Sequence, residues 1–317
     1  MEKITVYSFH SLYRDEFKVE GFRFGSGEKA LCIVGSLRGN EYQQLYTAAH
    51  LVARLKELEA EGRLAEGKEI LVIPCANPAS INIKKRFWSI DNTDINRMFP
   101  GYDAGETTQR IAAGIFEGIR EYKAGIQFAS FYMKGSFLPH IRMMKTGFEN
   151  TELACKFGLP YVMVRQPRPF DTTTLNYNWQ IWETDAFSLY TTNTDTVDRQ
   201  SSREAISSIL YFMEQTGLLT ELDMKEEAKY SAFAPVEPRI AEDENLITVR
   251  APKAGFFHGY VRPGDVVKEG QVLAQIDSTL DASLLAEITA PVSGTILFAH
   301  TENVTYSHST VFKIVGI

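Results

Sequence analysis

The sequence predicts an α/β chain, a central mixed sheet flanked by helices, followed by a small all-β domain. Three observations carry that expectation. Short apolar runs alternate with amphipathic stretches through about residue 220, the pattern of βαβ units. Helical periodicity is absent after residue 245. The last part of the chain also repeats itself once, in short β-branched runs punctuated by glycine.

In chain order, EKALCIVGSLRGNE is a strand ending in a glycine-punctuated loop. From about Glu41 to Glu61 a helix is expected, with Leu45, Ala48, Ala49, Val52, Leu55 and Leu58 on one face. Gly62 and Gly67 end it, and KEILVIPCANP reads as the next strand. ETTQRIAAGIFEGIREY is helical, IQFASFYM a strand, TELACKFG a helix and PYVMVR a strand. AFSLYTT is another strand, and SSREAISSILYFMEQTG a helix with a glycine stop. Residues 221–245 are charged and carry Pro235 and Pro238, so they read as a connecting segment between domains at 1–220 and 246–317.

Composition limits what such a chain does. With 317 residues it has room for one large and one small domain, and 44% hydrophobic residues suffice for a real core. A net charge of −7 argues against nucleic acid or an anionic membrane as partner. The longest apolar runs are strand-length, far below the ~20 residues that span a bilayer. The N-terminal stretch lacks the apolar core of a signal peptide. Cys32, Cys75 and Cys155 are scattered and read as core thiols of a reducing compartment. The expected setting is the cytoplasm. A homo-oligomer stays open.

In the C-terminal repeat, Ala251, Pro252 and Gly255, followed by Val266 and Val267, recur as Ala290, Pro291 and Gly294, followed by Val304. The two halves resemble the barrel-sandwich hybrid of biotinyl and lipoyl domains. A carrier of that kind needs a lysine at the hairpin between the halves. That place is Ser283, and 275–289 contains no lysine. The expectation is therefore a lipoyl-like domain without the carrier lysine, with no biotin or lipoate.

The segments IVGSLRGNE, IPCANP, KRFWSIDNTDINRMFPG, SFYMKGSFLPHIR and AFSLYT together resemble the succinylglutamate desuccinylase/aspartoacylase family of the zinc metallocarboxypeptidase clan. The most specific string is D-x-N-R-x-F-P-G, here Asp94 to Gly101. The resemblance implies a zinc-carboxypeptidase-like fold and a metal-dependent hydrolase of C–N amide bonds, a deacylase of N-acyl amino acids. In that chemistry three protein ligands and an open position let zinc activate water. The substrate carboxylate is held by forked guanidiniums.

Carried over residue by residue, the substrate side is retained as Arg86, Asn96 and Arg97. His140 and Arg142 lie in the stretch the resemblance places beside the site. Of the metal ligands only Glu41 is retained. Arg38 and Tyr132 stand at the two His positions, and Tyr190 stands in place of the general base, with Glu183 as a weaker alternative. His50 is roughly 13 Å along the helix from Glu41 at about 1.5 Å per residue, too far to share a metal easily. Arg38 is expected to pair with Glu41 and set its guanidinium where the metal sits in active relatives. The expected function is thus a degenerate, metal-free carboxylate binder, a pseudoenzyme. The alternative is an active zinc deacylase using non-standard ligands.

Overall fold

The structure, a computed structural model, describes residues 1–10, 16–220, 222 and 231–316. It falls into two compact units. Unit 1 is Met1–Ser130 with His140–Arg239, and unit 2 is Phe131–Pro139 with Ile240–Ile317. Within the expected connecting segment, residues 221 and 223–230 lie outside the described residues. The change of unit comes at Arg239–Ile240, a few residues before the expected start at 246.

Among the described residues ten strands appear by Glu242: β1 (Glu2–His10), β2 (Glu16–Gly25), β3 (Glu28–Ser36), β4 (Lys68–Cys75), β5 (Ala124–Phe128), β6 (Gly135–Phe137), β7 (His140–Met144), β8 (Tyr161–Arg165), β9 (Asp185–Tyr190) and β10 (Arg239–Glu242). All but β6 form one sheet in the order β1-β2-β4-β3-β5-β9-β7-β8-β10. The helices are α1 (Tyr42–Ala60), α2 (Pro78–Asn82), α3 (Thr107–Ile119), α4 (Thr151–Cys155), α5 (Leu175–Ile181) and α6 (Arg199–Gln215).

The sheet is mixed. β3 runs parallel to β4 and β5, and β5 to β9, whereas β7 is antiparallel to β9. From β3 the chain crosses through α1 to one neighbour, β4, and later through α3 to the other, β5. Loops leaving β3 and β5 therefore diverge and open a crevice at their carboxyl ends. Strand alternation splits the core. Leu31, Ile33, Ile126, Phe128, Phe187 and Leu189 pack with α1 and α6, and Cys32, Val34, Leu71 and Ile73 pack with α3 and Trp179.

The buried face of α1 departs from the expected one. Gln43, Gln44, Thr47, Ala48, Leu51, Leu55 and Leu58 are buried, while Ala49 is exposed. Each of the three leucines contributes about 1.5–3 kcal/mol by burial. The polar first turns are tolerated because they are hydrogen-bonded. Gln44 donates to the Ala129 carbonyl at 2.8 Å, and Gln43 donates to the Asp198 carbonyl and the Ser202 hydroxyl.

Unit 2 adds β11 (Leu246–Arg250), β12 (Gly255–Gly259), β13 (Val266–Val267), β14 (Val272–Asp277), β15 (Leu284–Thr289), β16 (Gly294–His300), β17 (Val304–Thr305) and β18 (Thr310–Gly316). They form two sheets, β11-β18-β16-β13 and β15-β14-β12-β17, with β6 added to β16. The repeated glycines do the same work in each half. A Cβ at Gly255 would lie 2.2 Å from the Asp277 carbonyl oxygen, and one at Gly294 would lie 2.3 Å from that of Val315. Strand β6 was not expected, and the expected strand IQFASFYM is shorter, since β5 ends at Phe128. Instead the chain leaves unit 1 after Ser130, and Phe137 sits opposite Phe298 with ring centroids 4.9 Å apart.

Candidate functional site

The loop after β3 is shaped around Glu41, the residue preceding α1. Glu41 Oε2 accepts the backbone N–H groups of Leu37 at 2.7 Å and Arg38 at 3.1 Å. Gly39 lets this loop press onto the chain at 80–86. Its N–H reaches the Arg86 carbonyl at 3.0 Å, and a Cβ there would fall 2.0 Å from the Lys85 carbonyl oxygen. Glycine is required at this point by contact alone.

The Arg38 side chain is buried and turned toward Glu41. Nη1 donates to Glu41 Oε1 at 3.1 Å and to Ser130 Oγ at 2.6 Å. Nε and Nη2 meet the Asp94 carboxylate side-on at 2.9 to 3.1 Å. Burial works against the charge, but Glu41 and Asp94 more than offset it and raise the Arg38 pKa above its ordinary value. Both Glu41 oxygens are thereby committed within the chain.

A cleft of about 60 Å³ opens beside this cluster in unit 1, with Arg38 in its wall. One register row crosses three adjacent strands on this face: Gln127 of β5 is opposite Ser188 of β9, which is opposite Arg142 of β7. All three line the cleft. The next row stacks His140 on Tyr190, ring centroids 4.4 Å apart, and Arg142 sits over the Tyr190 ring at 4.8 Å. Arg142 has no carboxylate partner among the described residues.

The opposite wall comes from two short 3₁₀ turns and α5. Asp94 caps the turn Ile95–Arg97 through the Asn96 N–H. Asn96 Oδ1 then accepts the Leu175 N–H at 3.2 Å and so anchors the start of α5. Arg97 donates to the Phe170 carbonyl and lies 3.5 Å from Asp171 Oδ1. Asp171 also pairs with Arg165. Asn176 of α5 completes this wall.

Charge separates this place from the rest of the molecule. Among the described residues, Arg38, Arg86, Arg97, Arg142 and Arg165 line the cleft or interact with a residue that does, against Glu41, Asp94 and Asp171. Cations are in excess here, although the chain as a whole carries −7. Arg86 has no carboxylate partner among the described residues, and burial together with the nearby Arg38 charge lowers its pKa.

Two candidates land elsewhere. Glu183 is exposed and adopts a positive φ of 65° at the turn before β9. Tyr190 ends that six-residue strand, whose two ends are about 16 Å apart at roughly 3.3 Å per residue. Glu183 is not among the cleft residues, because the strand carries its two ends to opposite edges of the sheet. Tyr132 is 79% exposed and belongs to unit 2. The side chain after β5 that meets Arg38 is Ser130. His10 and His50 are exposed, His50 lying against Tyr46 with ring centroids 4.2 Å apart. Burial raises the Cys32 thiol and raises that of Cys75 to about 11, so neither is an activated nucleophile. Sequence reading missed Gln127, Ser130, Asp171, Asn176 and Ser188. A single polar residue inside each of the apolar runs of β5 and β9 was the available trace of the first and last.

The donor set does not fit the zinc that the resemblance implies. A guanidinium offers N–H donors and no lone pair, and its charge repels a divalent ion at this range. Among the described residues no group of three or more His, Cys, Asp and Glu side chains could hold a metal ion. No helix there is long and apolar enough to cross a membrane.

Comparison with known proteins matches residues 27–189 to the model of the succinylglutamate desuccinylase/aspartoacylase catalytic domain family. Over 88 residues the chain is 30% identical to an N-alpha-acetyl-L-2,4-diaminobutyric acid deacetylase of Halomonas elongata, a match covering 28% of this chain and 24% of that relative. A succinylglutamate desuccinylase/aspartoacylase structure from Rhodobacter sphaeroides aligns with a TM-score of 0.75 at 19% identity, over 95% of this chain and 89% of that one. The product-bound ectoine utilization protein EutE of Ruegeria pomeroyi aligns with a TM-score of 0.76 at 16% identity, over 95% and 90%.

Proposed function

The chain belongs to the succinylglutamate desuccinylase/aspartoacylase family, and from that premise we propose that it is a metal-free relative of the family's amide hydrolases that binds a small carboxylate. The observation that carries this reading is Arg38. Standing at the first His position of the family pattern, it donates to Glu41, the one ligand position retained, and to Asp94. A single carboxylate already bound to a guanidinium does not make a hydrolytic zinc site. The local excess of guanidiniums supports an anionic ligand. Arg142 is the cation left for it, with Arg97 and Arg86 adding to the field.

Elemental mass spectrometry after dialysis against excess zinc tests the metal-free part. The expected content is far below one zinc per chain. Near-stoichiometric zinc, lost again in Glu41→Ala, would overturn it. That result would advance a second reading, an amide hydrolase with non-standard ligands, which the likeness to the Halomonas deacetylase favours. For the carboxylate, thermal shifts with a panel of two- to four-carbon acids should appear in the wild type and vanish in Arg142→Ala.

For unit 2 we propose a lipoyl-like barrel-sandwich hybrid that serves as a structural or interaction module. Its two sheets and the matched constraints at Gly255 and Gly294 support this. Intact mass spectrometry is expected to find no biotinyl or lipoyl addition. Such an addition would refute the module role.

A further inference from the structure

Asn176 is 2% exposed and lines the cleft, yet neither its amide oxygen nor its amide nitrogen has a hydrogen-bond partner among the described residues. Its neighbours on α5 are treated differently. Asn178 Nδ2 donates to three carbonyls, those of Phe99, Thr172 and Thr174. Gln180 accepts from the Met144 N–H and donates to the Met144 carbonyl. Burying an amide with both ends unpaired is costly, and native chains nearly always satisfy such groups. Arg142 lines the same cleft without an acid partner among the described residues.

We propose that Asn176 sets the specificity of this cleft, which takes a two-carbon carboxylate bearing a primary carboxamide. The ligand carboxylate lies against Arg142. Its amide pairs edge to edge with that of Asn176, one N–H donated in each direction. Ligand chemistry follows from what each end lacks. A second carboxylate or a ketone only accepts and leaves Asn176 Oδ1 unpaired, whereas an ammonium only donates and leaves Nδ2 unpaired. A carboxamide satisfies both. Size follows from the volume, since about 60 Å³ at roughly 10–15 Å³ per water-sized site holds about four to six non-hydrogen atoms.

This inference rests on the carboxylate-binding reading, and the test separates the two. Isothermal titration of the full chain with oxamate, pyruvate and oxalate compares ligands of nearly one shape. The wild type should bind oxamate at least about tenfold more tightly than pyruvate or oxalate, the cost of one unsatisfied buried group. In Asn176→Leu the oxamate-to-pyruvate ratio should fall to about one. Should Asn176→Leu not fold, Asn176→Ala removes the same amide without added bulk and should lose the ratio as well. Equal wild-type affinities, or a ratio that survives in the folded variant, would overturn the carboxamide and leave the carboxylate reading in place. Binding of none of the three would overturn both.

Discussion

The two ends of the cleft differ in whether their polar atoms find partners within the chain. At the β3 end, Arg38, Glu41, Asp94 and Ser130 close on one another, and two backbone N–H groups complete the set. At the β7 end, among the described residues, Arg142 has an aromatic face beneath it and no carboxylate, and the Asn176 amide has no hydrogen-bond partner. Both ends are polar and both resemble a site. A network that satisfies itself holds loops in place, whereas groups left without partners call for a ligand. The end that matches the family's metal pattern is the self-satisfied one.

The largest expected effect lies at the closed end. Glu41→Ala leaves Arg38 short of one partner and two N–H groups bare, so urea unfolding should report a loss of about 3–5 kcal/mol. A loss below about 1 kcal/mol would mean the pair is not the structural clamp described here. At the open end, Arg142→Ala should weaken oxamate binding by about 10–100-fold, the worth of a charged hydrogen bond. Stability should change there by no more than about 0.5 kcal/mol in the same unfolding assay. A large stability loss with intact binding would reverse the comparison. Ser130→Ala removes one hydrogen bond from the guanidinium and should cost about 1–2 kcal/mol, with ligand binding unaltered in titration. The smallest effect expected is on Cys75. Its thiol, raised to about 11, should react with iodoacetamide at pH 8 far more slowly than glutathione does. Labelling at the glutathione rate would contradict its burial.

Much of the fold was legible because period and punctuation are local. The runs LCIVG, ILVIP, YVMVR and AFSLY are strands, and the stretches after Glu41, Glu106 and Asp198 are helices. The α1 face was misjudged because Gln43, Gln44 and Thr47 are buried against hydrogen-bond partners as far as 159 residues away. Hydrophobicity cannot register such partners. Strand β6 was lost for a similar reason, since a three-residue strand is defined only by the sheet it joins.

The sequence by itself determined the family, the α/β order, the placing of Arg38 three residues before Glu41 and the lack of lysine over 275–289. These are matters of residue type and spacing along the chain. Only the tertiary structure decided that Arg38 faces Glu41 and Asp94, that Gln127, Ser188 and Arg142 fall in one row, and that Asn176 stands unpaired in the same cleft. Those facts depend on register and on contacts between distant segments, and hydrogen-bond satisfaction is a property of the folded chain alone.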